Sequence, residues 1–441
     1  MKKIIITVVL IIIFAGAGTP IFSGLMMERI VKRSFGDINQ MHADTGSDVS
    51  VEISQYDRGF TSSQIEWKIR LGTLKAFYGV EEIVFVDRAD HRFTNVVSKT
   101  SLEKNKWFTD FVNDKLDGKN PLDIKTEYKL SGNIESTLTL DAFSFKDGND
   151  VIEIKPGLMF VSLGKGVNNI LSEMTWAGCL IPGKIRMENL SFNSKMEKIS
   201  TYIWDGKLSF AVEDIKADDG KEGFGFSNLK CDHTLDYNKE EHSLSIRMGY
   251  GIDSITSGKN TINDAFVRIG LNRMDAGGYE DFMAVYSQGI NDIMEEIAAS
   301  QQHPDKIKKA VEKQMADSGL QMVGVYEKLL KKGFEIQISD LRAQLPQGKI
   351  KGDVTLSLKK DMTMLQFIPI MMQPAAALDI FLLKSDVSLP YKLVGDNQML
   401  LVPVYPGMQT GLFIKDGDNL IHKAETKDGK LLLNGKEVLL N

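Results

Sequence analysis

The chain has 441 residues, a formal net charge of −6 and a pI near 5.7. That balance carries no basic footprint and excludes a nucleic-acid partner, and a hydrophobic content of 43% supports a packed core and excludes a disordered stalk. The two cysteines, Cys179 and Cys231, are too few for a disulfide scaffold; in an oxidising compartment they either pair or stand as two small buried hydrophobes.

In chain order, the first predicted element is apolar. Lys2 and Lys3 precede a run from Ile4 to Met27 that contains no charged residue. About 20 apolar residues in a helix cross the hydrocarbon of a bilayer. The spacing Ala15-Gly16-Ala17 also fits a signal-peptide cleavage site, but the run continues well past it. We therefore expect residues 1–3 to be a cytoplasmic stub and residues 4–27 a transmembrane anchor. The single pass places the C-terminal bulk outside the cytoplasm. Met26 to His42 reads as an amphipathic helix.

Residues 28–260 then read as β-rich. Val49–Ile53, Ile65–Leu71 and Thr137–Leu140 alternate apolar and polar residues, the period of a strand. Turn chemistry at Lys146-Asp147-Gly148-Asn149, Ile181-Pro182-Gly183 and Asp205-Gly206 separates such runs. Trp107 to Val112 reads as a helical turn within this region. Residues 261–333 read as a helical insert, with Tyr279, Phe282, Met283, Tyr286, Ile290, Ile293, Met294 and Ile297 on one stripe and a second helix over 305–332 ended by Gly333. Residues 334–441 return to strands, and Asn434-Gly435 suits a type I′ turn. The fold class is thus α+β and β-rich: a transmembrane helix followed by a long, mostly antiparallel twisted sheet with a helical insert.

The search for chemistry gives no catalytic residues, no cofactor site and no metal site. Gly164-Lys165-Gly166 and Gly223-Phe224-Gly225 lack the third glycine and the following helix of a phosphate cradle. Cys231, His233 and His242 fall short of the four ligands of a closed zinc site. No base for a nucleophilic Ser62 or Ser63 is evident. Methionines cluster in the segment Met362 to Leu383, where Met362, Met364, Phe367, Met371 and Met372 are candidates for contact with an apolar ligand; the same residues also suit an irregular core.

The most distinctive string is Tyr56-Asp57-Arg58-Gly59-Phe60-Thr61-Ser62-Ser63. It resembles the Tyr-x-x-Gly-aromatic-x-Ser motif of the YdgA-like family of bacterial envelope proteins, whose function is undefined. Leu345-Pro346-Gln347-Gly348-Lys349-Ile350-Lys351-Gly352 and the tail from Gly411 to Gly435 also resemble that family. Gln64-Ile65 departs from it, since a small residue commonly follows the serines. The resemblance implies an inner-membrane protein with a periplasmic domain, and a homodimer as a partner state. The helix-then-strand layout is similar to that of AsmA-like proteins, which implies an apolar groove and envelope lipid. Read physically, Tyr56, Gly59, Phe60, Ser62 and Ser63 are structural, with Gly59 supplying a bulge or a positive φ. The expected function is a non-enzymatic, membrane-anchored envelope protein that binds lipid or another apolar ligand in a sheet groove. The alternative is a structural or assembly factor acting through protein–protein contacts.

Overall fold

A computed structural model of the chain describes residues 2–72, 75, 79–218, 223–258, 260–299, 309, 324–363, 365, 366, 370, 373–396 and 398–438. For 2–21, 290–292, 294–299, 374, 396 and 398–403 it describes the backbone alone. The residues group into two compact units, one formed by 1–182, 191–201 and 287–314, the other by 183–190, 202–286 and 315–441.

In the first unit, α1 (Lys2–Asp44) is followed by β1 (Ser50–Arg58), β2 (Ser62–Arg70), β3 (Glu82–His91) and β4 (Asn95–Ser101). After α2 (Lys106–Leu116) come β5 (Leu122–Lys129), β6 (Ile134–Leu140), the hairpin β7 (Phe143–Asp147) and β8 (Asp150–Ile154), then β9 (Gly157–Leu163) and β10 (Asn169–Ile181). Strands β1 to β6 pair in sequence order, all antiparallel. Strand β9 then joins β6, and β10 pairs with β9 and β8. The predicted turn at Trp107–Val112 is the front of α2, which buries Phe108, Val112 and Leu116 on the spacing of one helix face.

The described side chains of α1 lie on one face of this sheet. Met27 and Val31 pack with Ile65, Ala89, Val96 and Tyr128, and Met27 and Ile65 are fully buried. Near its C-terminal end, Asn39 closes the edge of β1: its amide donates to the Val51 carbonyl at 2.8 Å and accepts from the Val51 N–H at 2.7 Å. A side chain thus supplies both hydrogen bonds that an edge strand otherwise leaves open. Among the described residues no helix is long and apolar enough to cross a membrane. The side chains of 4–21, most of the apolar run, lie outside that set, and the end of the run at Ser23, Gly24 and Met27 is buried in the unit.

Strand β11 (Ile185–Lys198) contributes residues to both units. The second unit holds β12 (Trp204–Ala217), β13 (Phe224–Asn238), β14 (Ser243–Ser257), β15 (Asn260–Asp275), residues 276–286 of α3 (Ala276–Ala299), β16 (Glu335–Leu345), β17 (Gly348–Leu358) and β18 (Phe381–Pro390). It ends with α4 (Tyr391–Asp396), α5 (Gln398–Gln409), β19 (Ile414–Asp416), β20 (Asn419–Lys427), β21 (Lys430–Leu433) and β22 (Lys436–Val438). Strands β12 to β18 pair in order, antiparallel throughout, and β20 extends the sheet from β18. Asp428-Gly429 and Asn434-Gly435 have positive φ at both central positions, the requirement of a two-residue type I′ hairpin.

The helical segment begins at Ala276, later than the expected residue 261, because β15 continues to Asp275. The Asp275 carboxylate accepts the Gly278 N–H at 2.7 Å, so Asp275 caps the first turn of α3. The second expected helix lies mostly outside the described residues, although 324–329 are helical and Gly333 has φ +88°. Helical and loop residues close one end of the sheet, where Leu244, Met274, Ala276, Phe334, Leu358, Met362 and Ile380 form a core with Tyr279 and Leu329 against it.

Irregularities in the second unit follow a pattern. Asn189, Asn228, Asp264 and Asp340 all have positive φ, and the last three interrupt or flank the regular register of their strands. Their side chains bond across to the next strands: Asn189 with Glu213, Asn228 with Asp253 at 2.8 Å, Asp264 with Arg342 at 3.1 Å, and Asp340 with Arg268 at 2.6 Å. Asn and Asp tolerate the left-handed region better than other side chains. Asn228→Gly should lose only the bond to Asp253. Asn228→Val should cost a further ~1–2 kcal/mol, because a β-branched residue is strained at φ +53°. Denaturant melts of the two variants measure the difference.

Candidate functional site

The string Tyr56–Ser63 spans the tip of the β1–β2 hairpin, and the pleat divides it between two environments. Tyr56 and Ser63 face α1; Gly59, Phe60 and Ser62 are exposed. Gly59 does not have the expected positive φ. Its N–H donates to the Ser62 carbonyl at 2.7 Å, and a Cβ there would approach the same oxygen to 3.1 Å, so the turn is closed tightly over a residue without a side chain. The bulge in β1 lies between Ile53 and Gln55 instead.

Behind the turn is a polar cluster in an otherwise apolar layer. Ser63, 5% exposed, bonds the His91 Nε2 at 2.8 Å, and the other ring nitrogen of His91 lies 3.4 Å from the Phe60 carbonyl. Gly24 of α1 packs directly on this imidazole, and a Cβ on Gly24 would overlap the ring. Further along the same face, Asp87, 3% exposed, accepts from the Trp67 indole at 3.0 Å and from the Thr100 hydroxyl. Trp67 stacks on Phe85 with ring centroids 4.1 Å apart. Burial pushes the Tyr56 phenol up to about 12.

His91 is the base that the sequence did not reveal for Ser63, because the two residues meet diagonally across adjacent strands. The same arrangement recurs in the second unit. Ser385 bonds the His422 Nε2 at 2.7 Å, and His422 Nδ1 lies 2.9 Å from the Leu412 carbonyl. Each serine stands opposite a buried alanine, Ala89 or Ala424, with the histidine two residues along that strand. One buried and one half-buried pair of the same register thus join neighbouring strands in two places. Ser62 makes no such pair among the described contacts.

Burial raises the Asp87 carboxyl above its usual value, opposed by hydrogen bonds from Thr100 and Trp67. A proton held more tightly in the folded state adds stability that is complete below the unfolded pKa and is lost as pH rises through the folded value. Stability should therefore decline from about pH 4 upward until Asp87 is ionised. Asp87→Asn removes this slope. Denaturant midpoints for both proteins across pH 4–8 test it, since two parallel curves would rule it out.

The second candidate is a face of the second unit. Register places Leu208, His233, Met248, Ile269, Ile338 and Val354 in one cross-strand row from β12 to β17, with Ser385 and Ala424 completing it on β18 and β20. The adjacent row is Leu235, Ile246, Leu271, Ile336, Leu356 and Leu383. The opposite face carries Lys207, Asp232, Thr234, Arg247, Arg268, Gln337, Thr355 and Lys384. One face is thus almost wholly apolar and the other polar. The apolar rows are only half-buried along their length, and Ile336 is 39% exposed.

Of the residues expected to touch an apolar ligand, Met362 is 1% exposed and belongs to the core at the end of this face. Met364, Phe367, Met371 and Met372 lie outside the described residues. Cys231 is on the apolar face beside Phe210 and Tyr250. Cys179 and Cys231 are both free thiols. His242 bonds the Tyr237 hydroxyl through Nδ1 at 3.1 Å rather than joining Cys231 and His233.

These features define a class: a β-rich α+β protein in which a long N-terminal helix caps one antiparallel sheet and a helix-interrupted sheet with an apolar face follows. A family model covers the chain from residue 1 to residue 441, and the chain belongs to that family, described as "Bacterial protein of unknown function (DUF945)". No curated protein and no solved structure matches the chain.

Proposed function

We propose that the protein is a non-enzymatic component of the bacterial envelope. The apolar run that begins at Ile4 anchors it in the inner membrane, its bulk lies in the periplasm, and the apolar face of β12–β18 holds a lipid acyl chain or a similarly apolar ligand. The observation that carries this reading is the pair of rows, apolar but for His233, that run over six strands and keep part of their surface in water. Antiparallel sheets ordinarily bury one face and wet the other. At ~25 cal/mol per Å², covering several hundred Å² of that face is worth on the order of 10 kcal/mol. An acyl chain matches a long narrow strip, and the anchor keeps the strip beside a source of lipid.

The test uses the full chain in vesicles containing a phospholipid with a photoreactive acyl chain. After illumination, cross-links should map to β13–β17 at positions such as Met248, Ile269 and Val354. Cross-links confined to residues 1–44 would leave the anchor and eliminate the groove.

A further inference from the structure

We propose that the hairpin tips of the first unit rest on the bilayer surface, with Phe60 and Phe93 inserted among the lipid headgroups. This surface extends the reading of Ile4–Met27 as a membrane anchor and rests on it. Geometry fixes where the bilayer would end. From Ile4, about 20 residues at 1.5 Å each span the ~30 Å of hydrocarbon and reach Gly24. Gly24 is where α1 enters the folded unit: it packs on His91, while Ser23 and Met27 are 1% and 0% exposed. The uncharged run is longer than a span because its last turn is docked on protein.

The tips gathered at that point are apolar and uncovered. Phe60 in the β1–β2 turn is 57% exposed, and its carbonyl faces His91. Phe93 in the β3–β4 turn, two residues beyond His91, is 64% exposed. Leu130, at the β5–β6 turn on the same end of the sheet, is 47% exposed, and Phe22, just before Gly24, is 64% exposed. Turn tips in a water-soluble domain are normally polar, and four large apolar side chains around one helix entry form a patch that asks for a partner. Charge selects the partner. The segments 22–33, 57–62 and 90–95 hold five cations and three acids. Arg58 and Lys32 share Glu28, while Arg29 and Arg92 are exposed. Aromatic tips with a cationic surround fit the interface of an anionic bilayer.

The test uses the full chain with Cys179→Ser and Cys231→Ser and a single cysteine at 60, 93 or 158, each labelled with an environment-sensitive fluorophore. The control, Leu158, is 49% exposed on β9, away from the tips. The protein is reconstituted into phosphatidylglycerol–phosphatidylethanolamine vesicles with and without spin-labelled lipid. Labels at 60 and 93 should shift to the blue and lose about half or more of their emission to the spin label, as expected for side chains at headgroup depth; the label at 158 should do neither. A chain that floats with the vesicles while 60 and 93 report water overturns the docking and leaves the anchor. A chain that does not float overturns both.

Discussion

Ile338→Lys should abolish capture of an apolar ligand while leaving the fold intact. Ile338 lies mid-strand in the apolar row, between Ile269 and Val354 in register, and is only half-buried. In the free protein a lysine there can extend its ammonium to water along its own alkyl stem. With an acyl chain laid over the row that escape is closed, and an unpaired buried ammonium costs at least about 3 kcal/mol, which is about a hundredfold in affinity. Gln337→Lys is the matched control, since Gln337 projects from the polar face beside Thr355. Titrating the full chain with a fluorescent fatty acid separates the two. Equal affinities for the two variants would place the ligand elsewhere.

Gly24→Ala should detach the start of α1 from the sheet, at a cost of about 2–3 kcal/mol, the upper range for overpacking a filled core. The His91 ring leaves no room for a Cβ at this position, and it is held from behind by Ser63. It cannot turn aside without leaving that hydroxyl unpaired. A second substitution shows that the effect is local. His91→Ala alone loses packing and the Ser63 bond, but combined with Gly24→Ala it opens space for the new methyl. The double variant should therefore be more stable than the sum of the single losses predicts. Strict additivity in thermal or denaturant melts would reject the contact.

Alternation made the strands legible from sequence. Ile65-Glu66-Trp67-Lys68-Ile69 reads directly as β2, and Asn434-Gly435 reads directly as the turn between β21 and β22. Register was not legible, and the candidate sites depend on register. Nothing in the spacing of Ser63 and His91, 28 residues apart, marks them as diagonal neighbours, and the apolar rows of the second unit exist only once six strands are aligned. The start of α3 carried a signal in Asp275, an acidic cap before Ala276, but the glycines at 277 and 278 disguise a helix start as a turn. The left-handed Asn228, Asp264 and Asp340 were invisible because Asn and Asp are equally ordinary on a polar strand face. The burial of Met27 against the sheet was not legible for a different reason. Hydropathy scores Met27 the same whether lipid or Ile65 surrounds it.

The order of pairing in the first unit bears on how the protein is made. From β1 to β6 every strand pairs with the strand that precedes it in the chain, and only the β7–β8 hairpin delays the next addition. A chain delivered N-terminus first, at roughly 5–20 residues per second, can thus add each strand as it emerges, with little loop-closure entropy to overcome at any step. The exposed edge of this growing sheet is always the newest strand, while the oldest is closed at Val51 by Asn39 of the helix that came before it. Assembly has a direction, and the older side of the sheet is capped at one residue, Val51.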